Sequence, residues 1–167
     1  MQVIPRVAEH VNRFLPTSLV PNPSALLPAQ PGAFAGPAVA WWFAALYLTV
    51  ITVRSLIHLF AADGGANSIA TIDTSVAGGS NIIALFGQWG AIQLLLAALL
   101  WVLLVRYPGF VPLVLLVFLL EPFTRSLAGH LKPLVTMGTA PGAALNWVVV
   151  PIVLVALWLS LCPGAHA

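Results

Sequence analysis

Apolar residues along this chain fall into four long runs, separated by short segments rich in Gly, Pro, Ser, Thr and Asp. The first spans about Ala38 to Ala62 and opens on Trp41 and Trp42, whose indoles favour a membrane interface. Its second half turns polar at Thr49, Thr52, Arg54, Ser55 and His58, and Asp63-Gly64-Gly65 closes it, with glycine as the helix stop. The second spans about Asn81 to Tyr107, with Ser80 or Asn81 as the N-cap. Its first half carries Gly87, Gln88, Trp89, Gly90, Ala91 and Gln93. Arg106-Tyr107-Pro108-Gly109 predicts a tight turn into the third run, Phe110 to Lys132, which holds Glu121, Arg125 and His130. The fourth, about Ala143 to Cys162, is interrupted by Pro151. Each run reaches the roughly 20 residues that a helix needs to cross a bilayer core.

A different pattern precedes them. Ile4, Val7, Val11, Phe14 and Leu15 recur at helical spacing, with Arg6, Glu9, His10 and Arg13 mostly on other faces. Pro5 suits a first helical turn and Pro16 ends the segment. The spacing predicts a short amphipathic helix lying on the membrane surface. Pro16, Pro21, Pro23, Pro28, Pro31 and Pro37 make residues 17–37 an extended connector. The expected organisation is an interfacial helix and Pro-rich connector over residues 1–37, a four-span domain over 38–162, and a tail over 163–167. The expected fold class is all-α: an integral membrane four-helix bundle with an N-terminal amphipathic interfacial helix.

Composition strengthens the membrane reading. Of 167 residues, 60% are hydrophobic and 6% charged, with mean hydropathy +1.03. A soluble domain needs roughly 25% charged residues to face water. The formal charge of +2 rests on six scattered basic residues without a basic run or aromatic platform, so no nucleic-acid partner is expected. Cys162 is the single cysteine, which excludes an intrachain disulfide, a Cys-x-x-Cys pair and a thiolate zinc site. It stands six residues from the end, so the terminus is not a prenylation box. No signal-peptide h-region opens the chain. Arg6, Arg13 and Arg106 fall on one side of four spans and Lys132, Asp63 and Asp73 on the other, which puts both termini in the cytoplasm of a cell-membrane protein.

Charges inside the spans carry the candidate chemistry. An ionisable side chain at a helix centre costs about 2.5–3.5 kcal/mol on insertion scales, so it needs a partner. Glu121 and Arg125 are four apart and share a helix face, acid before base. Arg54 also needs an acceptor, and Glu121 is the only carboxylate at comparable depth. The expected cluster is Arg54, Glu121 and Arg125, with His58 one turn from Arg54 and Gln88 reaching in from the second run. Pro122 tilts the third helix and exposes carbonyls. Two arginines and one glutamate leave an excess positive charge, which invites a lipid headgroup, a carboxylate or a quinone oxygen. Snorkelling arginines that merely hold the bundle together are the structural alternative. The chain also echoes itself: Arg54-Ser55-Leu56-Ile57-His58 and Arg125-Ser126-Leu127-Ala128-Gly129-His130 end the first and third runs. Two helix hairpins related as parallel repeats would account for it.

His58 and His130 raise a haem b held by two histidines. The spacing argues against it, because His130 lies about 140° around an ideal helix from Arg125, whose counterpart shares a face with His58. A kink at Pro122 or unwinding at Gly129 would be required. Gly87 and Ala91 form a small-xxx-small pattern that lets another helix, in this chain or in a second copy, approach closely. No nucleotide-binding glycine motif, His-Glu-x-x-His or Gly-x-Ser-x-Gly occurs, and no catalytic or metal-ligating residue is expected.

The Arg54…His58 helix end, Asp63-Gly64-Gly65, Gly87-Gln88-Trp89-Gly90 and the Arg106-Tyr107-Pro108-Gly109 turn together resemble small bacterial four-span membrane proteins of unassigned function. Over about Val39 to Leu161 the pattern is similar in architecture to the DoxX-like group. That resemblance implies a fold more than an activity. The expected function is an accessory subunit or carrier, not an enzyme, whose polar site binds an anionic or quinone-like ligand. The alternatives are a membrane oxidoreductase subunit using quinone or haem, and a purely structural partner in a membrane complex.

Overall fold

The computed structural model describes residues 14–165, and for residues 141–144 and 146 the backbone alone. The described residues are all-α, with four long helices: α1, Ala38–Phe60; α2, Gly79–Arg106; α3, Val111–Leu131; and α4, Pro141–Ser160. Short 3₁₀ turns at Pro23–Leu26 and Pro108–Phe110 complete the elements. The expected interfacial helix lies outside the described residues except at Phe14 and Leu15, which are exposed. Helix α2 starts at Gly79, a little before the Ser80 or Asn81 cap read from the sequence, with Gly78 O accepting from the N–H groups of Asn81 and Ile82.

Three helices are long and apolar enough to cross a membrane: Ala38–Phe60, Gly79–Arg106 and Pro108–Leu131 counted from the 3₁₀ turn. In their most apolar windows only 28%, 22% and 33% of residues are buried inside the protein. Apolar helices with so much uncovered surface are unstable against water but suited to lipid. Leu46, Val50 and Val53 on α1 and Leu85, Ile92, Leu95 and Leu99 on α2 belong to this uncovered surface.

The chain forms two compact units. One comprises Met1–Tyr47, Leu100–Leu119 and Ile152–Ala167. Its buried core comprises small residues on α1 (Ala40, Ala44, Ala45) together with Leu100 and Leu104 of α2, Val111, Val114, Leu115 and Phe118 of α3, and Val153 and Ala156 of α4. Tyr47 meets Phe118 edge-on, ring centroids 4.9 Å apart. The Pro-rich connector belongs to this unit and is stitched in by its backbone. Thr17 N–H donates to Pro163 O and Asn22 N–H to Leu161 O, while Gly164 N–H donates to Ala35 O. Asn22 caps the first 3₁₀ turn, its Oδ1 accepting from Ser24 N–H at 3.1 Å. Other donors of the segment bond locally, Ala25 N–H to Asn22 O, Leu27 N–H to Ser24 O and Ala33 N–H to Gln30 O. Gly109 is required by close approach, since a Cβ there would lie 2.8–3.0 Å from the carbonyl oxygens of Pro31, Ala33 and Gln30.

The second unit comprises Leu48–Leu99 and Leu120–Pro151. Its 61–78 loop is built around Asp63, whose carboxylate accepts from Gly65 N–H at 2.9 Å and Ser68 N–H at 2.7 Å. Gly64 (φ 60°) and Gly65 (φ 72°) take the left-handed conformation that stops α1. Thr71 also has φ 56°, rare for a β-branched residue. It is held there by the second loop: Met137 N–H donates to Thr71 O and Thr71 Oγ1 donates to Gly138 O, both at 2.8 Å.

The Asp63 hub makes a pH prediction. Hydrogen bonds from the Ser68 and then the Gly65 backbone N–H hold its carboxyl down to about 2. A depressed folded-state value means stability that is present above the ordinary carboxylate range, near 3.9, and lost as pH falls through about 2. Asp63→Asn should therefore be less stable than wild type at pH 7, with the difference shrinking between about pH 4 and 2. Thermal midpoints in detergent at stepped pH measure this. A pH-independent difference would show that Asp63 does not act through its charge. Asp73, also lowered, by the Ser75 side chain first, titrates alike in both proteins and cancels.

Candidate functional site

Glu121 is the eleventh of 21 residues in α3, so its carboxylate starts from the middle of the helix, about 15 Å from either end. Arg125, one turn on, folds back toward it, with Nη2 3.1 Å from Oε2. Helical side chains lean toward the N-terminus, which makes an acid followed by a base at i+4 the favourable order. Arg54, on α1, brings its Nη2 to 3.9 Å from the other carboxylate oxygen, Oε1. The first contact is a charge-assisted hydrogen bond; the second is an ion pair too long for one. All three side chains are about one-third exposed, at 29%, 35% and 32% for Arg54, Glu121 and Arg125. Glu121 is the sole Asp or Glu in the four helices, and two guanidiniums bear on it. Pro122 is buried beside it and lacks the N–H that would bond Phe118 O, while Thr124 Oγ1 donates to Glu121 O at 2.9 Å.

His58 sits on the Arg54 helix but turns to the loop. It is buried, and its Nδ1 lies 2.8 Å from Gly64 O. A carbonyl only accepts, so Nδ1 carries the proton and Nε2 is the remaining site. Its ring packs on Trp89 at 4.7 Å and on Phe86 at 5.6 Å. Trp89 also takes the Arg54 guanidinium over its ring at 5.9 Å. His58 and Arg54 are thus linked through Trp89, a residue to which the sequence analysis gives no part in the cluster. Its position one residue before a close-approach glycine is the signal for that role.

Gln88 does not join the cluster; it is exposed on α2. The amide that α2 offers to α1 is Gln93. The Ser55 hydroxyl has one proton to share between Ile51 O at 2.8 Å and Gln93 Oε1 at 3.1 Å. The reason is angular. Gly90 is buried against α1, where a Cβ would lie 2.7 Å from Leu59 N and 2.8 Å from His58 Cβ. Gln93, three residues on, shares that face, whereas Gln88 lies about 200° from it. Within the chain Gly90 is the close-approach residue of α2, whereas a Cβ at Gly87 would meet only His58 O, at 3.9 Å. His130 is exposed near the end of α3, unlike buried His58, so the two echoing stretches differ in surroundings.

No protein-family model matches the chain, and comparisons with curated proteins and with solved structures find no match. Chemistry must come from the geometry. The first unit has a cavity of about 510 Å³ between the connector, Gly109, Pro112 and residues 160–163, but no charged residue lines it. The charged cluster of Arg54, Glu121 and Arg125 belongs to the second unit.

Proposed function

We propose that this chain is a multi-pass membrane protein of four spans with cytoplasmic termini, serving as an accessory subunit or carrier. Its Arg54–Glu121–Arg125 cluster binds an anionic or quinone-like ligand. Three helices that meet the length and apolarity of a span support the membrane reading. Helix α4 is 20 residues long and apolar over Trp147–Ser160, which supports a fourth. The observation that carries the ligand reading is the charge count: one carboxylate against two guanidiniums, in helices whose only other charged residue is the terminal Arg106. Unbalanced charge in hydrocarbon is costly, and an incoming oxyanion lowers that cost. A quinone carbonyl accepts guanidinium hydrogen bonds without balancing the charge.

The test is mass spectrometry of what the full chain retains after mild detergent extraction, together with its absorbance spectrum. Wild type should hold one small anionic or quinone-like molecule, and the double variant Arg54→Gln, Arg125→Gln should lose it. Retention of the same molecule by a folded double variant would sink the reading.

A further inference from the structure

We propose that the ligand of this cluster is a carboxylate on a long apolar chain, a fatty-acid-like amphiphile that reaches the site sideways from the bilayer. This rests on the anion-site reading above and narrows it to one class. Three observations carry it.

The cluster is open to lipid. Arg54, Glu121 and Arg125 are each about one-third exposed. Their uncovered neighbours are apolar: Val50 and Ile57, one turn to either side of Arg54 on α1, and Leu120 beside Glu121 on α3. A ligand resting on the guanidiniums from that side lays its remainder along hydrocarbon-like surface.

The cluster is deep. Arg54 and Arg125 each stand six residues before the end of their helix, about 9 Å inside, and Glu121 stands about 15 Å inside. Side chains lean toward the helix N-terminus, so both guanidiniums are directed further from those ends, as the 3.1 Å contact of Arg125 with Glu121 shows for one of them. A phospholipid phosphate is permanently charged and tied to the headgroup layer, roughly 15 Å from the midplane of a 30 Å core. A carboxylic acid crosses hydrocarbon as the neutral acid, gives its proton to water, and is held as the anion.

The charges fit one more carboxylate. A single added anion brings two guanidiniums and two carboxylates to neutrality, and a guanidinium fork matches a carboxylate with two parallel hydrogen bonds.

The experiment is equilibrium binding of [1-¹³C]oleate to the full chain in phosphatidylcholine nanodiscs, read by the carboxyl resonance. Butyrate, inorganic phosphate and phosphatidylglycerol-doped discs form parallel arms. Oleate should bind one to one, at least about tenfold tighter than butyrate or phosphate. Arg54→Gln or Arg125→Gln should weaken it about tenfold or more. Glu121→Gln, which removes the competing carboxylate, should tighten it by a similar factor, an outcome that misfolding cannot imitate. Butyrate or phosphate binding as tightly as oleate, with the same arginine dependence, would overturn the amphiphile while leaving an anion site. Phosphatidylglycerol binding in place of oleate would overturn it equally. No binding of any anion would remove both readings.

Discussion

Glu121→Leu should destabilise the protein by about 3 kcal/mol, more than loss of either arginine. The carboxylate stands 3.1 Å from one guanidinium and 3.9 Å from another, so its removal takes the one carboxylate of the helices away from two cations. Arg125→Leu or Arg54→Leu instead leaves one cation facing one anion, a neutral pair. Breaking a buried ion set by removing one member typically costs about 3–5 kcal/mol, and one-third exposure of these side chains favours the lower figure. Replacing all three with leucine should restore near-wild-type stability, because apolar residues avoid the desolvation penalty altogether. Unfolding in mixed micelles across the single, double and triple variants measures these differences and the couplings between them. A loss under about 1 kcal/mol for Glu121→Leu would equate the cluster with an ordinary exposed ion pair. The same series separates stability from binding: the triple-leucine protein should be stable and retain no anion.

The cluster was legible because charge is scarce here. With one carboxylate in four helices, electrostatics leaves few pairings to consider, and the i, i+4 spacing of Glu121 and Arg125 settles one of them. The helices were legible for a similar reason: long apolar runs bounded by Gly and Pro allow little besides long helices, and the observed boundaries lie within about two residues of those expected. What stayed hidden depends on helix rotation. Gln88 and Gln93 are equivalent in composition, and only the face on which Gly90 meets α1 selects Gln93. Apolar periodicity could not supply that face, because α2 carries apolar residues on every side.

Loop-mediated contacts were hidden for another reason. His58 appeared to share the charged face, yet its Nδ1–H is directed to Gly64 O, a carbonyl presented by the left-handed turn of Gly64 and Gly65. Such a bond depends on where the chain goes after α1 ends, and helical spacing carries no information on that. The connector behaves likewise. Its prolines announce extended chain, but its attachment to residues 161–164 uses backbone groups that every sequence possesses.

Two glycines three residues apart on α2 should respond to alanine with opposite signs. At Gly87 the nearest atom to an added Cβ is His58 O at 3.9 Å, ordinary van der Waals contact. Glycine costs a helix interior about 1 kcal/mol relative to alanine, so Gly87→Ala should be neutral or stabilising by up to that amount. At Gly90 the added carbon would stand 2.7 Å from Leu59 N and 2.9 Å from His58 C. Those are backbone atoms, which cannot rotate aside, so α1 and α2 must separate. Overpacking of this kind costs about 1–3 kcal/mol, which outweighs the gain in propensity for Gly90→Ala. Gly90→Leu should reach about 3 kcal/mol, because the larger side chain adds volume where a Cβ alone already lies 2.8 Å from His58 Cβ, and so displaces a ring held by Gly64 O and Trp89. Thermal unfolding of the three variants in one detergent checks the ordering. Equal responses at positions 87 and 90 would mean that α1 does not rest on Gly90. The Arg54–Trp89 contact provides a second readout: Trp89 is partly exposed, and its fluorescence, taken as the difference from Trp89→Phe, should change in Gly90→Leu and not in Gly87→Ala.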